Sequence, residues 1–129
     1  SAIVAILLGE ADGPRFARAI EAAPRRLISA VTRVELSCVM EGRKGDLGRV
    51  ALETFLEEGD IETVGVTARD ADLAIDAFRR FGKGRHRAGL NIGDCFAYAL
   101  ASGASLPLLF KGDDFGHTDI RPALNASAG

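Results

Sequence analysis

Residues 94–110, DCFAYALASGASLPLLF, join an apolar helical segment over 94–101 to a short apolar strand over 106–110. The strand segment is a continuous apolar run rather than an alternation of apolar and polar residues, which is typical of a strand buried on both faces. Sheets built from such strands are parallel and are covered by helices on both sides. The stretch therefore predicts an α/β fold.

The rest of the chain alternates helical and strand segments in the same way. Turn signals such as Asp12-Gly13-Pro14 cut it into short pieces, and residues 68–81 have a clear amphipathic pattern. Helices are predicted over 2–10, 14–23, 31–41, 47–57 and 68–81, and strands over 26–30, over 61–66 and near residue 120. Because ligands of parallel sheets bind beyond the carboxyl ends of the strands, the loop that follows 106–110 is the predicted site.

Composition limits the possible classes of protein. A chain of 129 residues with 47% hydrophobic and 26% charged residues predicts one globular domain. The two cysteines, Cys38 and Cys95, lie far apart in apolar helical patterns, which favours buried free thiols and a reducing, cytoplasmic location. With two histidines the chain offers no spaced set of zinc ligands. No apolar run reaches the roughly 18–20 residues that a membrane span needs.

The charge of the chain is small overall but unevenly distributed. The net charge of −2 argues against a protein that binds nucleic acid through its whole surface. Basic residues nevertheless cluster between 79 and 87. Arg79 and Arg80 stabilise the end of a helix through its dipole and need no ligand, whereas Lys83, Arg85 and Arg87, in a loop bounded by glycines, are well placed to hold an RNA backbone.

Acidic residues interrupt apolar patterns at three places. Glu35 lies within VTRVELSCVM, Asp94 begins an apolar helix, and Asp113 and Asp114 directly follow the strand over 106–110. Each has a structural alternative. Asp94 can cap its helix, Glu35 can lie on the wet edge of an amphipathic helix, and the two aspartates of GDDF can be turn residues.

Taken together, these acids suggest a site for a divalent cation. Mg²⁺ takes oxygen ligands, typically one or two carboxylates with waters and substrate phosphates. Two such ions roughly 4 Å apart can stabilise both the attacking and the leaving oxygen of a phosphodiester. Several carboxylates brought together from separate elements would form such a site, but the sequence alone does not show that they converge.

The segment GKGRHRAGLNIGDCFAYALA, followed by SGASLPLLFKGDDFGHTDI, resembles the C-terminal half of VapC toxins, a branch of the PIN-domain ribonucleases. The opening SAIVAILLGE and the helix TRVELSCVM resemble the other half of the same family, so the resemblance covers essentially the whole chain. It implies a three-layer α/β/α sandwich with a short, mostly parallel central sheet. It also implies a metal-dependent endoribonuclease that hydrolyses RNA with Mg²⁺ or Mn²⁺.

The resemblance assigns particular roles to the acidic residues. Glu35 matches the glutamate of the third helix, Asp94 the aspartate of the N-x-G-D-C segment, and Asp114 the aspartate before phenylalanine in F-K-G-x-D-F. Asp113 ranks second as a metal ligand because its position looks variable. Asp94 and Asp114 are expected to hold the metal, and Glu35 to bind it through water or to orient the attacking water.

In one respect the chain departs from the family pattern. Members usually begin with a strand ending in D-x-S-A, and residues 1 and 2 of this chain are that Ser-Ala. We therefore expect a single PIN-like domain over 1–129 whose first strand, with a further catalytic aspartate, precedes Ser1. Ser1 would then lie beside that aspartate and near the metal.

The resemblance further implies an antitoxin partner of the VapB type and a toxin homodimer that assembles further with the antitoxin. The helices over 14–23 and 47–57 are candidate surfaces for these contacts. Two other functions stay open: a PIN-like module that binds RNA or protein without cleaving it, and, with less support, a phosphatase or phospho-receiver on another α/β fold.

Overall fold

The computed structural model describes residues 1–109 and 114–124, and the side chains of Asp114 and His117 lie outside what it describes. The helices are α1 (Ala2–Leu7), α2 (Gly13–Ala22), α3 (Ala30–Glu58), α4 (Ala68–Phe81) and α5 (Ile92–Ala104). The strands are β1 (Leu27–Ser29) and β2 (Glu62–Val64), and a short 3₁₀ helix spans Asp114–His117. The predicted alternation of helices and strands is confirmed.

Local capping signals set where the helices begin. Ser29 caps α3, its side chain accepting a hydrogen bond from the Val31 N–H at 3.2 Å. Thr67 and Asp70 form a reciprocal capping box at the start of α4. Because a cap satisfies N–H groups that have no partner inside the helix, these starts follow from residues within three or four positions.

The sheet consists of β1 and β2 paired in parallel, with Leu27 opposite Glu62 and Ser29 opposite Val64. β1 packs against α3 and α5, so helices cover the strand that precedes α3. The parallel pairing and the α/β class agree with the prediction. The placement of β1 immediately before α3 puts the first turns of α3 at the carboxyl end of the sheet.

The predicted strand over 106–110 is smaller than expected. Among the described residues of this segment, Leu108 alone forms a bridge, in parallel with Pro122, while Phe110 lies outside the described residues. Leu108 exchanges two backbone hydrogen bonds with Arg121 and Ala123, each 2.8 Å long. Pro107 has no N–H to donate to a longer ladder, which is one reason for the limited pairing here. The strand predicted near residue 120 is this same bridge.

The two helices predicted over 31–41 and 47–57 form one element, α3, that is kinked at Gly45. Gly45 has φ 62° and ψ −148°, a conformation outside the helical region. The apolar pattern over 31–41 predicted more burial than the structure has, because Val34 is 63% exposed and Val39 is 41% exposed. Cys38 is likewise exposed, whereas Cys95 is buried as predicted.

The buried side chains form several separate clusters. One cluster joins α4 and α5 and includes Phe81, Leu90 and Tyr98. Another joins α1, β1 and α3 around Met40 and Leu52. That the chain is a single domain over 1–129, completed by a strand ahead of Ser1, stays a prediction.

Candidate active site

Glu35 and Asp94 come together from different helices. Glu35 lies in the second turn of α3, which follows directly on β1, and Asp94 is the third residue of α5. The Glu35 carboxyl group lies directly over the backbone of Gly93, the residue before Asp94. The structure therefore brings Glu35 and Asp94 together, although they are far apart in sequence.

The electrostatics of this pair follow from burial and from like charge. As a residue Glu35 is exposed, which agrees with the alternative that it lies on the wet edge of its helix. The partial burial of its carboxyl group nevertheless raises the pKa of Glu35 above its usual value, and the negative charge of Asp94 raises it further. The neighbouring thiol of Cys95 responds in the same way, since burial and then Asp94 raise its pKa. A pair of neighbouring carboxylates attracts a cation, because a cation removes the repulsion between their negative charges.

Asp94 also caps its own helix. The Asn91 N–H donates to Asp94 Oδ2 at 3.1 Å, and the Asp94 N–H donates to Asn91 Oδ1 at 2.8 Å. The capping role considered from the sequence is thus confirmed. It does not exclude the other role, because the cap holds the Asp94 carboxylate at the start of α5, where Glu35 also lies.

The structure does not describe the side chains of the other two predicted acids. Asp113 lies outside the described residues. Asp114 begins the 3₁₀ helix, and its side chain also lies outside what is described. Ser1 caps α1 by accepting a hydrogen bond from the Val4 N–H at 3.5 Å. Ser1 and Asp94 line the same cavity, as expected if Ser1 lies near the site.

The donor chemistry of the pair suits a hard divalent cation. Within residues 1–109 and 114–124, leaving aside the undescribed side chains, no three His, Cys, Asp or Glu residues are grouped closely enough to hold a metal. Glu35 and Asp94 are two oxygen donors, and Mg²⁺ is commonly held by one or two carboxylates with waters completing its shell. The two described residues therefore fit such an ion.

An apolar cavity of about 520 Å³ adjoins the site. Its walls include β1 and residues 106–109, and Asp94 and Thr32 also line it. The hydroxyl of Thr32 is buried and has no hydrogen-bond partner among the residues that the structure describes. The cavity shows that β1 and the segment around Leu108 stand apart on either side of an open space.

The basic loop leads directly into the helix that carries Asp94. Lys83, Arg85 and Arg87 are exposed, and the loop is closed by hydrogen bonds between its ends, from the Lys83 N–H to the Leu90 carbonyl and from the Leu90 N–H to the Phe81 carbonyl. The geometry leaves these three cations accessible, as RNA binding requires, and their role in binding stays a prediction.

His86 supports the basic loop. Its Nδ1 accepts a hydrogen bond from the Ala88 N–H at 3.0 Å, and its ring meets the edge of Phe81 with 5.2 Å between centroids. His86 is therefore engaged in holding the loop closed. The side chain of His117 lies outside what the structure describes.

A polar network that the sequence did not predict joins α4, α5 and the segment after the 3₁₀ helix. Tyr98 is buried, and its hydroxyl donates a hydrogen bond to Asp119. Arg80 Nη2 donates to the same carboxylate at 2.9 Å, and Arg80 Nη1 lies 3.5 Å from Asp76. Arg80 therefore has specific acidic partners, in addition to its position near the end of a helix. The spacing of four residues between Asp76 and Arg80 indicates an ion pair along a helix. Nothing in the sequence indicates that Asp119 contacts Arg80.

This network shifts the pKa values of Tyr98 and Asp119. Burial, together with the hydrogen bond to Asp119, raises the pKa of Tyr98 to about 12. The hydrogen bond from Tyr98, with the hydrogen bond and the positive charge of Arg80, lowers the pKa of Asp119. The network thus favours a neutral tyrosine and an ionised aspartate, and it fixes the segment around Asp119 against α4 and α5.

None of the described helices combines the length and the apolar character that crossing a bilayer requires.

Comparison with known proteins agrees with this geometry. The PIN domain family model matches residues 1–121. Ribonuclease VapC30 of Mycobacterium tuberculosis is 50% identical over 120 residues, which cover 93% of this chain and 92% of that protein. Ribonuclease VapC of Mycolicibacterium smegmatis is 47% identical over 120 residues, covering 93% of each chain. Ribonuclease VapC28 of Mycobacterium tuberculosis is 43% identical over 126 residues, covering 97% of this chain and 95% of that protein.

The match over nearly the whole chain, together with the helix-covered parallel strands, confirms the resemblance read from the sequence: the chain belongs to the PIN-domain family, and its relatives at 43–50% identity are VapC ribonucleases.

Proposed function

We propose that this protein is a metal-dependent endoribonuclease, the toxin of a VapBC-type toxin–antitoxin pair, which acts in the cytoplasm. The observation that carries the proposal is the pairing of Glu35 with Asp94 at the start of α5. Two carboxylates from separate helices, near the end of a parallel sheet, provide the oxygen ligands that Mg²⁺ or Mn²⁺ takes. The names of the relatives support RNA as the substrate.

In this proposal each acidic residue has a distinct task. Asp94 holds the cation, in a position defined by the capping box with Asn91. Asp114 is a second metal ligand, and Asp113 a less favoured one. Glu35 orients the attacking water or binds the metal through water. The cation, when bound, would stabilise negative charge on the phosphate and favour the ionised form of a bound water.

The proposed partners follow the same reasoning. Exposed Lys83, Arg85 and Arg87 bind the RNA backbone, since cations on an accessible loop gain affinity by releasing counterions. A VapB-type antitoxin and a second copy of the toxin are further proposed partners. Leu47 is 82% exposed and Val50 49% exposed on α3, which supports the segment over 47–57 as a surface for self-association.

The experiment that tests the proposal must separate metal binding by Asp94 from helix capping. The chain offers a matched control, because Asp70 has the same place in the capping box of α4 that Asp94 has in α5. Asp94→Asn and Asp70→Asn each change one capping aspartate to its amide. The structural cost of the two changes is therefore comparable, and Asp94 alone of the two lies beside Glu35.

Cleavage of a labelled RNA pool is measured with Mg²⁺, with Mn²⁺ and with EDTA for the wild type and both variants. We expect cleavage that requires metal, a loss of at least about 100-fold in Asp94→Asn, and a rate within about two-fold of wild type in Asp70→Asn. Equal loss in both variants would show that capping explains the effect. A folded wild type that binds RNA without cleaving it, with either metal, would favour the non-catalytic binding module.

A further inference from the structure

The residue at position 93 determines whether the Glu35 carboxyl group can lie where it does. A Cβ atom built on Gly93 would overlap the Glu35 carboxyl carbon and both of its oxygens, far inside the 3.0 Å that real Cβ atoms keep. These carboxyl atoms are the three nearest neighbours that such a side chain would meet. Any residue other than glycine at this position would therefore displace the carboxylate.

The backbone supplies no other reason for glycine at this position. Gly93 is the second residue of α5, and it is not among the glycines with positive φ. In a helix, glycine is less favourable than alanine by about 1 kcal/mol. Helix stability alone would therefore favour alanine here.

Other buried glycines differ from Gly93 in what surrounds them. A Cβ on Gly48 would overlap the backbone carbonyl of Met40, and a Cβ on Gly82 would overlap that of Phe78. Backbone atoms cannot rotate away, so glycine is needed at those two positions for packing. At Gly93 the obstructing group is the end of a flexible side chain, which can move without disturbing the fold.

From these observations we propose that Gly93 is a positioning residue for the active site: its missing side chain allows the Glu35 carboxylate to lie against the start of α5, next to Asp94. The inference rests on the proposed function, since it concerns the site at which the cation and the RNA would bind. In Gly93→Ala the Glu35 side chain turns away from α5, and the two carboxylates no longer act on one ion.

The experiment compares Gly93→Ala with Gly103→Ala in the same helix. A Cβ on Gly103 would meet Leu73 Cδ1 at 3.4 Å, an ordinary contact, so this control measures the effect of alanine on α5 without reaching Glu35. Crystal structures of the variants, thermal unfolding without metal, and Mn²⁺ affinity by electron paramagnetic resonance are the readouts. We expect Gly93→Ala to unfold at or above the wild-type temperature, with the Glu35 carboxyl group displaced and Mn²⁺ bound roughly ten-fold more weakly.

A rescue variant distinguishes positioning from a general effect on α5. Glu35→Asp shortens the side chain by one methylene and makes room for a Cβ at position 93. We expect Gly93→Ala/Glu35→Asp to bind Mn²⁺ more tightly than Gly93→Ala alone. Glu35→Asp by itself should bind Mn²⁺ no more tightly than the wild type. Gly103→Ala should keep the wild-type Mn²⁺ affinity.

An undisplaced Glu35 carboxyl group in Gly93→Ala would overturn the inference, and so would wild-type Mn²⁺ affinity in that variant. A lowered unfolding temperature of Gly93→Ala would also overturn it, because packing would then explain the glycine. The proposed function fails separately, if the wild type binds no Mn²⁺ or does not cleave RNA. In that case the crystal structure of Gly93→Ala still shows whether Gly93 positions Glu35.

Discussion

At the scale of single residues, the buried tyrosine shows how strongly its surroundings control ionisation. Tyr98 is 4% exposed and donates its hydroxyl hydrogen to Asp119. Ionising Tyr98 would place a second negative charge beside that carboxylate and would remove the donated hydrogen. Burial, and after it the hydrogen bond to Asp119 and the charge of that carboxylate, raise the pKa of Tyr98 from 10.0 to about 12, and this difference couples folding to pH.

The sign of the coupling follows from proton binding. Below pH 10 the tyrosine is protonated in the folded and in the unfolded chain, so its contribution to stability is fully present. Between pH 10 and 12 the unfolded chain loses this proton while the folded chain keeps it, and the free energy of unfolding falls. We expect a loss of roughly 2 to 3 kcal/mol across this range, measured by urea unfolding at a series of pH values.

The chain provides a direct readout, because Tyr98 is its single tyrosine and it has no tryptophan. The ultraviolet absorbance of tyrosinate therefore follows this one residue. We expect a midpoint near 12 in the folded protein and near 10 in urea. Tyr98→Phe should abolish the loss of stability that this residue causes between pH 10 and 12, and a folded-state midpoint near 10 would contradict the assignment.

At the scale of elements, the kink in α3 depends on two glycines. Gly45 has φ 62° and ψ −148°, a region that residues with a Cβ rarely occupy. Gly48 lies so close to the Met40 carbonyl that a Cβ would overlap it. The kink therefore requires glycine at 45 for its backbone conformation and at 48 for its close packing.

Gly45→Ala should destabilise the protein by about 1 to 3 kcal/mol, because alanine is strained in this backbone conformation. Gly42 is the matched control, since it lies in the same helix, is exposed, and a Cβ there meets nothing within 4 Å. Gly42→Ala should stabilise by roughly 0.5 to 1 kcal/mol. Urea unfolding with unchanged slopes measures both effects. Equal gains in both variants would show that the kink imposes no strain on alanine.

At the scale of the whole molecule, the distribution of charge matters more than its sum. The net charge is −2, yet an exposed basic loop lies directly before the helix that carries Asp94. If this loop binds RNA, removing its three cations should weaken binding through lost phosphate contacts. If the overall charge alone matters, removing three cations elsewhere should weaken binding equally.

Two triple variants, each of which removes three positive charges, separate these alternatives. Both also carry Asp94→Asn, so that RNA is not cleaved. Lys83, Arg85 and Arg87 are changed to alanine in one, and the exposed Arg18, Arg43 and Lys44 in the other. We expect the loop variant alone to lower the slope of log affinity against log salt, by about 2. Fluorescence anisotropy with single-stranded RNA measures these slopes, and equal slopes in the two variants would exclude the loop as the binding surface.

Local signals in the sequence determined much of the fold. The helix over 68–81 and the capping role of Asp94 were predicted correctly, because helix starts and amphipathic faces depend on residues within a few positions of one another. The resemblance of the segment over 82–101 to VapC toxins also predicted the family correctly. The exposure of Val34 and Val39 was not predicted. An apolar residue favours burial, but whether it is buried depends on whether another part of the fold packs over it.

What the tertiary structure alone decided is which distant residues meet. Glu35 lies beside Asp94 because α3 and α5 both pack against β1, and Asp119 reaches Arg80 across 39 positions of sequence. Nothing in the sequence distinguishes Gly93 from the other glycines. It lies close to the Glu35 carboxyl group because α3 approaches α5 in the folded chain. Such contacts depend on how helices pack across the sheet, and helix packing is set by the complementary surfaces of whole elements rather than by spacing along the chain.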